Sequence, residues 1–454
     1  MRVLDTLRNQ HVLDKVLSEG GQGKVYQTLD KDVLVKVAGK NGQELTQEED
    51  IKAFCQIVQN LIRMPIPRDI PVVLPLALLQ DRAGYVMPSL TSLKSLGAIL
   101  KEGSAIIGTK LKNIHPFWAK FFQERMDLQT LFTYYIQTGG ARLRLKLLAR
   151  LAAVLFRLHA HGLIYGDLSK GNVLFEDQNK EHPSVYLIDA DNISYVQKEA
   201  MGTYPYQPPE FFRGQTNSME SDIYTFGIVA YWLLTTNHPF LDGVQATESD
   251  WQQCAWVEDR TDTSNIKTPL LKLSYILSQE REELFHLLFE KGKDNPKSRP
   301  SLALFAQALE LSALSCLECA RCGMHYKEEL EICPYCDAPK PKRLCATSYF
   351  FHQEQHGRVY AKFTLCLTEE CFSVHLPTCL FKGVNVLDMQ ADFLEVRPDL
   401  LIFKEKEGVF VNQRKLSANK KRLNDADLQR GVEILCQQRH WGFCVHVQLK
   451  EQTC

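Results

Sequence analysis

The chain has 454 residues, 45% hydrophobic and 24% charged, with a formal net charge of −1. That length accommodates about three domains with ample core burial, and the near-zero charge supplies no basic field for nucleic acid or anionic membrane. The opening MRVLDTLRNQHVL lacks the apolar core of a signal peptide and no apolar run reaches spanning length, so a soluble cytoplasmic protein is expected.

In chain order, LSEGGQGKVY (Leu17 to Tyr26) is a glycine-rich segment whose backbone amides can approach phosphates, because no Cβ stands in the way. DVLVKV (Asp32 to Val37) alternates as a strand does and carries Lys36. Glu48 and Glu49 open a helical stretch with Ile51, Cys55 and Val58 on one face, and a strand is expected over Val72 to Pro75. Lys110, Lys112, Lys120 and Arg125 fall in a longer segment that reads as a solvated insertion, with a docking surface as the sharper alternative. His159 and His161 close the next helix, where packing or capping is expected.

The segment LIYGDLSKGNVLF (Leu163 to Phe175) sets Asp167 five residues before Asn172 between apolar flanks. Tyr186-Leu187-Ile188 reads as a buried strand delivering Asp189 to a loop. GTYPYQPPE (Gly202 to Glu210), SDIYTFGIVAYWLL (Ser221 to Leu234) and KSRPS (Lys297 to Ser301) follow. Any one of these pieces is weak, but their number and order are not.

In that order the pieces resemble the eukaryotic-type protein-kinase family over residues 10–315, an α+β bilobal fold with an N-lobe at about 10–88 and a C-lobe at about 89–315. The resemblance implies that Ser18, Gly20, Gly21, Gly23, Val25, Lys36 and Met87 hold ATP, and that Asn172 and Asp189 hold Mg²⁺ or Mn²⁺. It also implies Asp167 as base, with Lys170 beside the transferred phosphate. Asp222 would brace the catalytic loop, while Glu210 and Arg299 would form a buried structural pair. Thr203 matches the threonine of Ser/Thr kinases that bonds near the catalytic aspartate.

The departures are specific. Ser18 stands for the first loop glycine, Tyr165-Gly166 for His-Arg, and Ser169-Lys170 for Lys-Pro. Asp189-Ala190-Asp191 stands for Asp-Phe-Gly, and Asp191 is expected to cap its turn or to bind metal. The helix-C glutamate that usually pairs with the strand lysine is not evident, and one register puts Gln59 there. YGDLSKGN, LIDADN and PPEFF resemble a divergent bacterial branch of the family. Its members are encoded beside a metal-dependent phosphatase and a von Willebrand-type protein, which makes those two candidate partners. The expectation is an atypical ATP- and Mg²⁺-dependent Ser/Thr kinase acting on a protein substrate. A nucleotide-binding pseudokinase scaffold and, behind it, nucleotidyl transfer are the competing readings.

Of fourteen cysteines, four form the pairs Cys319/Cys322 and Cys333/Cys336 in CARCGMHYKEELEICPYC, a zinc ribbon over 316–340. Four thiolates suit tetrahedral Zn²⁺ with no open position, so the site is expected to be structural. A disulfide framework and a rubredoxin-type iron centre compete with it. Cys316 reads as a spare, and Cys55, Cys254 and Cys436 as small buried residues. After a linker APKPKR (Ala338 to Arg343), alternating stretches predict a β-rich domain over 345–454. Glu407 to Leu428 faintly resembles a forkhead-associated domain, and Arg414, Lys415, Lys420, Lys421 and Arg422 read as a solvated loop.

Overall fold

The computed structural model describes the chain except residues 21–22, 41, 91, 102, 110, 112, 178–182, 197–201, 248, 342, 353–354, 367–371, 377–390, 398–399, 404–408, 439–440 and 451–454. It divides into two compact units. The first is Met1–Ala98, Val154–Glu176 and Ser184–Thr225; the second is Ile99–Ala153, Asp177–Pro183 and Phe226–Cys454.

The first unit begins with an antiparallel sheet of β1 (Arg2–Leu4), β2 (Gln10–Gly20), β3 (Gly23–Thr28), β4 (Val33–Lys40), β5 (Gln43–Glu44), β6 (Ala77–Leu78) and β7 (Gly84–Pro88). Its order is β1-β2-β3-β4-β7-β6, with β5 on β4. Alternation along β4 sends Val35 and Val37 into a cluster with Val3, Leu13, Leu79 and Val86, and turns Lys36 to the opposite face. Helix α1 (Glu48–Arg63) has Glu48, Glu49 and Asp50 in its first turn and Arg63 in its last, which suits the helix dipole. It packs Val58, Phe54 and Cys55 against Leu78 and Tyr85. No strand forms over residues 72–75, where Val72 makes only a single bridge to Leu187. Pro71 precedes that stretch and Pro75 ends it, neither with an N–H for a ladder, and the strand begins at Ala77 instead. A second sheet in this unit joins β8 (Lys94–Ser95), β9 (Val173–Glu176) and β10 (Ser184–Leu187) in the order β10-β9-β8.

The helices after α1 are α2 (Gly103–Ile107), α3 (Pro116–Phe121), α4 (Met126–Gln137), α5 (Gly140–Ala160), α6 (Pro209–Phe212) and α7 (Met219–Thr235). They continue with α8 (Leu273–Ile276), α9 (Gln279–His286), α10 (Gly292–Asp294) and α11 (Leu302–Ser315). The part of α7 in the second unit is apolar on every side and buried from Phe226 to Leu234, as a core helix is. Among the described residues no helix is long and apolar enough to cross a membrane. Ser301 caps α11 by accepting from the Leu304 amide.

Helix α11 ends at Cys316, where β11 (Cys316–Glu318) starts and pairs with β12 (His325–Lys327). The stretch read as a linker belongs in part to this ribbon. The Ala338 carbonyl accepts from the Cys333 amide and Ile332 bridges Pro339, so the ribbon runs to Lys340. Beyond it, β13 (Arg343–His352), β14 (Gln355–Cys366), β15 (Phe372–Leu376), β16 (Ala391–Arg397), β17 (Leu400–Phe403), β18 (Val409–Val411), β19 (Arg414–Lys415) and β20 (Lys420–Arg422) follow. Helix α12 (Asp425–Arg430), β21 (Val432–Gln438) and β22 (Trp441–Lys450) complete the described chain. The strands form two sheets, β14-β13-β22-β21-β18-β19 and β15-β16-β17-β20, so the C-terminal region is β-rich as its alternation predicts. Asn424 and Asp427 make a reciprocal capping box on α12.

Candidate active site and metal centre

The β2–β3 hairpin pairs Ser18 with Val25 and Gly20 with Gly23, which gathers four of the predicted nucleotide-binding residues at one turn. Gly21 lies outside the described residues. Gly23 has φ +130°, and a Cβ there would sit 2.1 Å from the Val37 carbonyl oxygen, so only glycine fits. In β4, Lys36 is opposite Val25 on one side and Tyr85 on the other. Met87, two pairs along β7 from that register, is half-buried beside the α1 cluster.

Lys36 ends between two carboxylates. Its Nζ donates to Asp189 Oδ1, and to Asp191 Oδ2 at 2.6 Å. Burial disfavours the ammonium, but the Asp191 and Asp189 charges and hydrogen bonds outweigh it and hold Lys36 above its usual range. Asp189 has φ +60°, a left-handed conformation that aspartate tolerates better than most residues, and it precedes a short turn Ala190–Asn192. Asp191 therefore does not cap that turn, as its position had predicted; its side chain is taken up by Lys36.

The catalytic loop is tied down from below. Asp222, 2% exposed, accepts from the Tyr165 amide at 2.7 Å and the Gly166 amide at 2.8 Å. His159 Nε2 lies 2.9 Å from the same carboxylate. The Tyr165 hydroxyl donates to the Ile188 carbonyl at 2.6 Å, linking the loop to the residue before Asp189. Asn172 Nδ2 donates to the Asp167 carbonyl at 2.8 Å, and the Asn172 carbonyl accepts from the Ile188 amide at 3.0 Å. Asp167, Asn172 and Asp189 are thus brought together. Asp167 Oδ1 accepts from both the amide and the hydroxyl of Thr203, each at 2.9 Å. Burial pushes the Asp167 carboxyl up, with the Thr203 bonds pulling against it.

Lys170 is anchored by its backbone, whose carbonyl accepts from Gly97 N at 3.1 Å and Ser95 Oγ at 3.0 Å. Glu210 in α6 is buried, and so is Arg299, whose Nε donates to the Gly292 carbonyl at 2.7 Å. The helix-C position resolves differently from either expected register. Glu48 pairs with Lys52 and Asp50 with Lys40 at the open end of α1, and Gln59 is exposed. The side of α1 that meets Tyr85 is apolar.

A second site lies in the ribbon. Cys319, Cys322, Cys333 and Cys336 are all buried, with their sulfurs within 4.8 Å of one another. Sγ–Sγ separations are 3.6 Å for Cys319–Cys336 and 3.7 Å for Cys322–Cys333. Four sulfurs at ~2.3 Å from a tetrahedral Zn²⁺ would be about 3.8 Å apart, and disulfide sulfurs about 2.05 Å, so the cluster fits a metal and not two bridges. Hydrogen bonds among the thiols pull the Cys319 thiol down and push those of Cys322 and Cys333 up, so the sulfurs titrate together as one cluster. Cys316 is buried at the start of β11, outside the four. Cys55 and Cys254 are half-buried, more open than their expected interior placement. The Cys436 side chain lies outside the described residues.

The insertion read as solvated is a packing platform. Trp118 of α3 is fully buried and donates through Nε1 to the Cys322 carbonyl at 3.1 Å. Tyr335 packs edge-on to Phe132 and Tyr275, and the Arg321 guanidinium lies over Phe117. Arg142 of α5 donates to the Cys316 carbonyl at 2.5 Å. Aromatic spacing in PFWAKFF was the available signal; the basic residues drew attention away from it. Lys120 and Arg125 are exposed, and Lys110 and Lys112 lie outside the described residues. The bonds of His159 and Tyr165 in the loop's support were also missed: His159 lies outside the motif, and Tyr165 departs from the residue usual at its motif position.

Residues 112–311 match the family model of the protein kinase domain. Ribosomal protein S6 kinase alpha-3 of Mus musculus and of Homo sapiens are each 23% identical over 290 residues, 63% of this chain and 33% of the relative. Putative ribosomal protein S6 kinase alpha-1 of Caenorhabditis elegans is 26% identical over 151 residues, 33% of this chain and 17% of the relative. The aligned chain thus spans a third or less of these relatives' length.

Proposed function

We propose that this chain, which carries a eukaryotic-type protein kinase domain, transfers the γ-phosphate of ATP to a serine or threonine hydroxyl of a protein. The observation that carries the reading is the Asp167 carboxylate. It is buried, hydrogen-bonded by Thr203, and adjacent to an Asn172–Asp189 pair of hard oxygen donors. Such donors suit Mg²⁺ or Mn²⁺, which when bound with ATP neutralises phosphate charge and orients the transferable group. In this reading Asp167 orients the substrate hydroxyl and accepts its proton, while Thr203 fixes the carboxylate that receives it. Lys36 and the hairpin of Ser18, Gly20, Gly21, Gly23 and Val25 hold the triphosphate, with Met87 at the base side. Asp222, Glu210 and Arg299 are structural.

Zn²⁺ is the proposed occupant of the four-cysteine cluster, with a purely structural role. The ribbon and the β-rich region are read as docking or regulatory parts. A metal-dependent phosphatase and a von Willebrand-type protein are the candidate partners carried by the family resemblance. The test is intact-mass and peptide mass spectrometry after incubation with Mg²⁺-ATP and a generic protein substrate, beside Asp167→Ala. Phosphate on Ser or Thr that is absent in the variant supports the reading. Nucleotide binding with no transfer under any condition, or a gain of AMP mass, overturns it.

A further inference from the structure

Lys36 has an ammonium to place and no helix to place it. Glu48 and Asp50 are engaged with Lys52 and Lys40, and the face of α1 that meets Tyr85 consists of Phe54, Cys55 and Val58. Both ion-pair partners of Lys36 among the described residues come from the Asp-Ala-Asp segment instead. The two aspartates are not equivalent. Asp189 is the one beside Asn172, where a metal-bound triphosphate would claim its oxygens. Asp191 is the more enclosed, its side chain 15% exposed against 22% for Asp189, and the buried Tyr85 ring faces the ammonium it holds.

We propose that Asp191 is the positioning residue for Lys36, holding the ammonium toward the nucleotide phosphates from the turn after Asp189 and not from helix α1. This makes the substitution of the glycine in the metal motif and the missing helix carboxylate one change: the charge has moved from one element to another. With Asp189 given over to a metal, the Asp191 Oδ2–Lys36 Nζ bond at 2.6 Å would still hold the ammonium. The other oxygen, Asp191 Oδ1, is buried with no partner among the described residues, so a metal-ligand role is the rival that the experiment must separate.

The assignment rests on the kinase reading for the identity of the ligand, so binding and transfer are measured separately. Full-length protein with Lys36→Met, Asp191→Asn, Asp191→Glu and the Lys36→Met/Asp191→Asn pair is titrated calorimetrically with AMP-PNP and Mg²⁺. A charged hydrogen bond lost at this site corresponds to a weakening of about tenfold for each single variant. The double variant should bind within about twofold of Lys36→Met, since a positioning residue has nothing left to position, and Asp191→Glu should recover part of the loss. The Mg²⁺ concentration for half-maximal binding should be unchanged in Asp191→Asn and raised in Asp189→Asn. Additive losses of about a hundredfold in the pair, or a raised Mg²⁺ requirement in Asp191→Asn, overturn the assignment. Coupled binding with no phosphoryl transfer by wild-type protein sinks the kinase reading alone. Absence of nucleotide binding sinks both.

Discussion

Replacing Asp222 by alanine tests how the catalytic loop is held. The carboxylate receives Tyr165 N, Gly166 N and His159 Nε2 at 2.7, 2.8 and 2.9 Å, in a residue only 2% exposed. A hydrogen bond to a charged acceptor contributes about 1.5–3 kcal/mol, so the two amides alone represent roughly 3–6 kcal/mol. Water entering the vacated space recovers some of this, which leaves about 3–5 kcal/mol, the range found when one partner of a buried charged contact is removed. Amide hydrogen exchange read by mass spectrometry on peptides covering 159–175 measures it locally. Tyr165 and Gly166 should exchange roughly a hundredfold to several thousandfold faster in Asp222→Ala at 1.4 kcal/mol per power of ten. Asp222→Asn, which keeps one carbonyl acceptor and loses the charge, should fall between. Acceleration of less than about tenfold in Asp222→Ala would refute the account, since the orphaned amides would then have cost less than a single ordinary charged hydrogen bond.

Asp167→Ala should reduce phosphoryl transfer by about 10²–10⁴-fold while AMP-PNP binding changes little; an equal loss of binding would count against Asp167 as base. Purified protein should carry one Zn²⁺ per chain by elemental analysis, and Cys333→Ser or strong chelation should remove it. The same treatment should shift Trp118 fluorescence, because its indole bond to Cys322 depends on the ribbon; a metal-free ribbon with unaltered fluorescence refutes a structural ion. Gly23→Ala should destabilise the hairpin by more than about 1 kcal/mol and weaken nucleotide binding, given the 2.1 Å approach of its Cβ to the Val37 oxygen. Unchanged denaturant midpoints and affinity would show that the turn relaxes freely.

Much of the candidate site's arrangement was legible because the motifs that carry the resemblance fix residue types at short spacings. Asp167 and Asn172 sit on one loop, and Asp189 follows a strand, so local sequence carries their geometry. The four cysteines were legible for the same reason, each pair being a two-residue knuckle. What local pattern did not carry is long-range pairing. Lys36 meets Asp191 across 155 positions of sequence, and Trp118 meets Cys322 across 204. Spacing cannot announce such contacts. Asp191 was expected to cap its turn or to bind metal, the two local uses of Asp in such a turn, and the burial that gave it a distant cation has no sequence signature. The strand expected at 72–75 failed on a local rule, since its apolar residues outvoted the prolines at its two ends.

The two altered motifs bear on whether the site has decayed. A site released from selection for geometry would leave buried charges and hydroxyls without partners, each at a cost of about 1–3 kcal/mol or more. Here each replacement makes at least one bond, although Asp191 Oδ1 is left without one among the described residues. Tyr165, standing for histidine, is fully buried and spends its hydroxyl on the Ile188 carbonyl, immediately before Asp189. Asp191, standing for glycine, spends one oxygen on Lys36. The main chain of Tyr165 meanwhile keeps the Asp222 bond that the loop requires. Catalytic loop, metal-motif turn and strand lysine are therefore joined by bonds made through the very residues that depart from the usual pattern. A variant that restored the usual residues one at a time would break those bonds without supplying their counterparts. Asp191→Gly alone should therefore weaken nucleotide binding in this protein, even though it moves the motif toward the common form. Calorimetry with AMP-PNP reads that directly, and tighter binding by Asp191→Gly would show that the substitution is a defect and not a relocation.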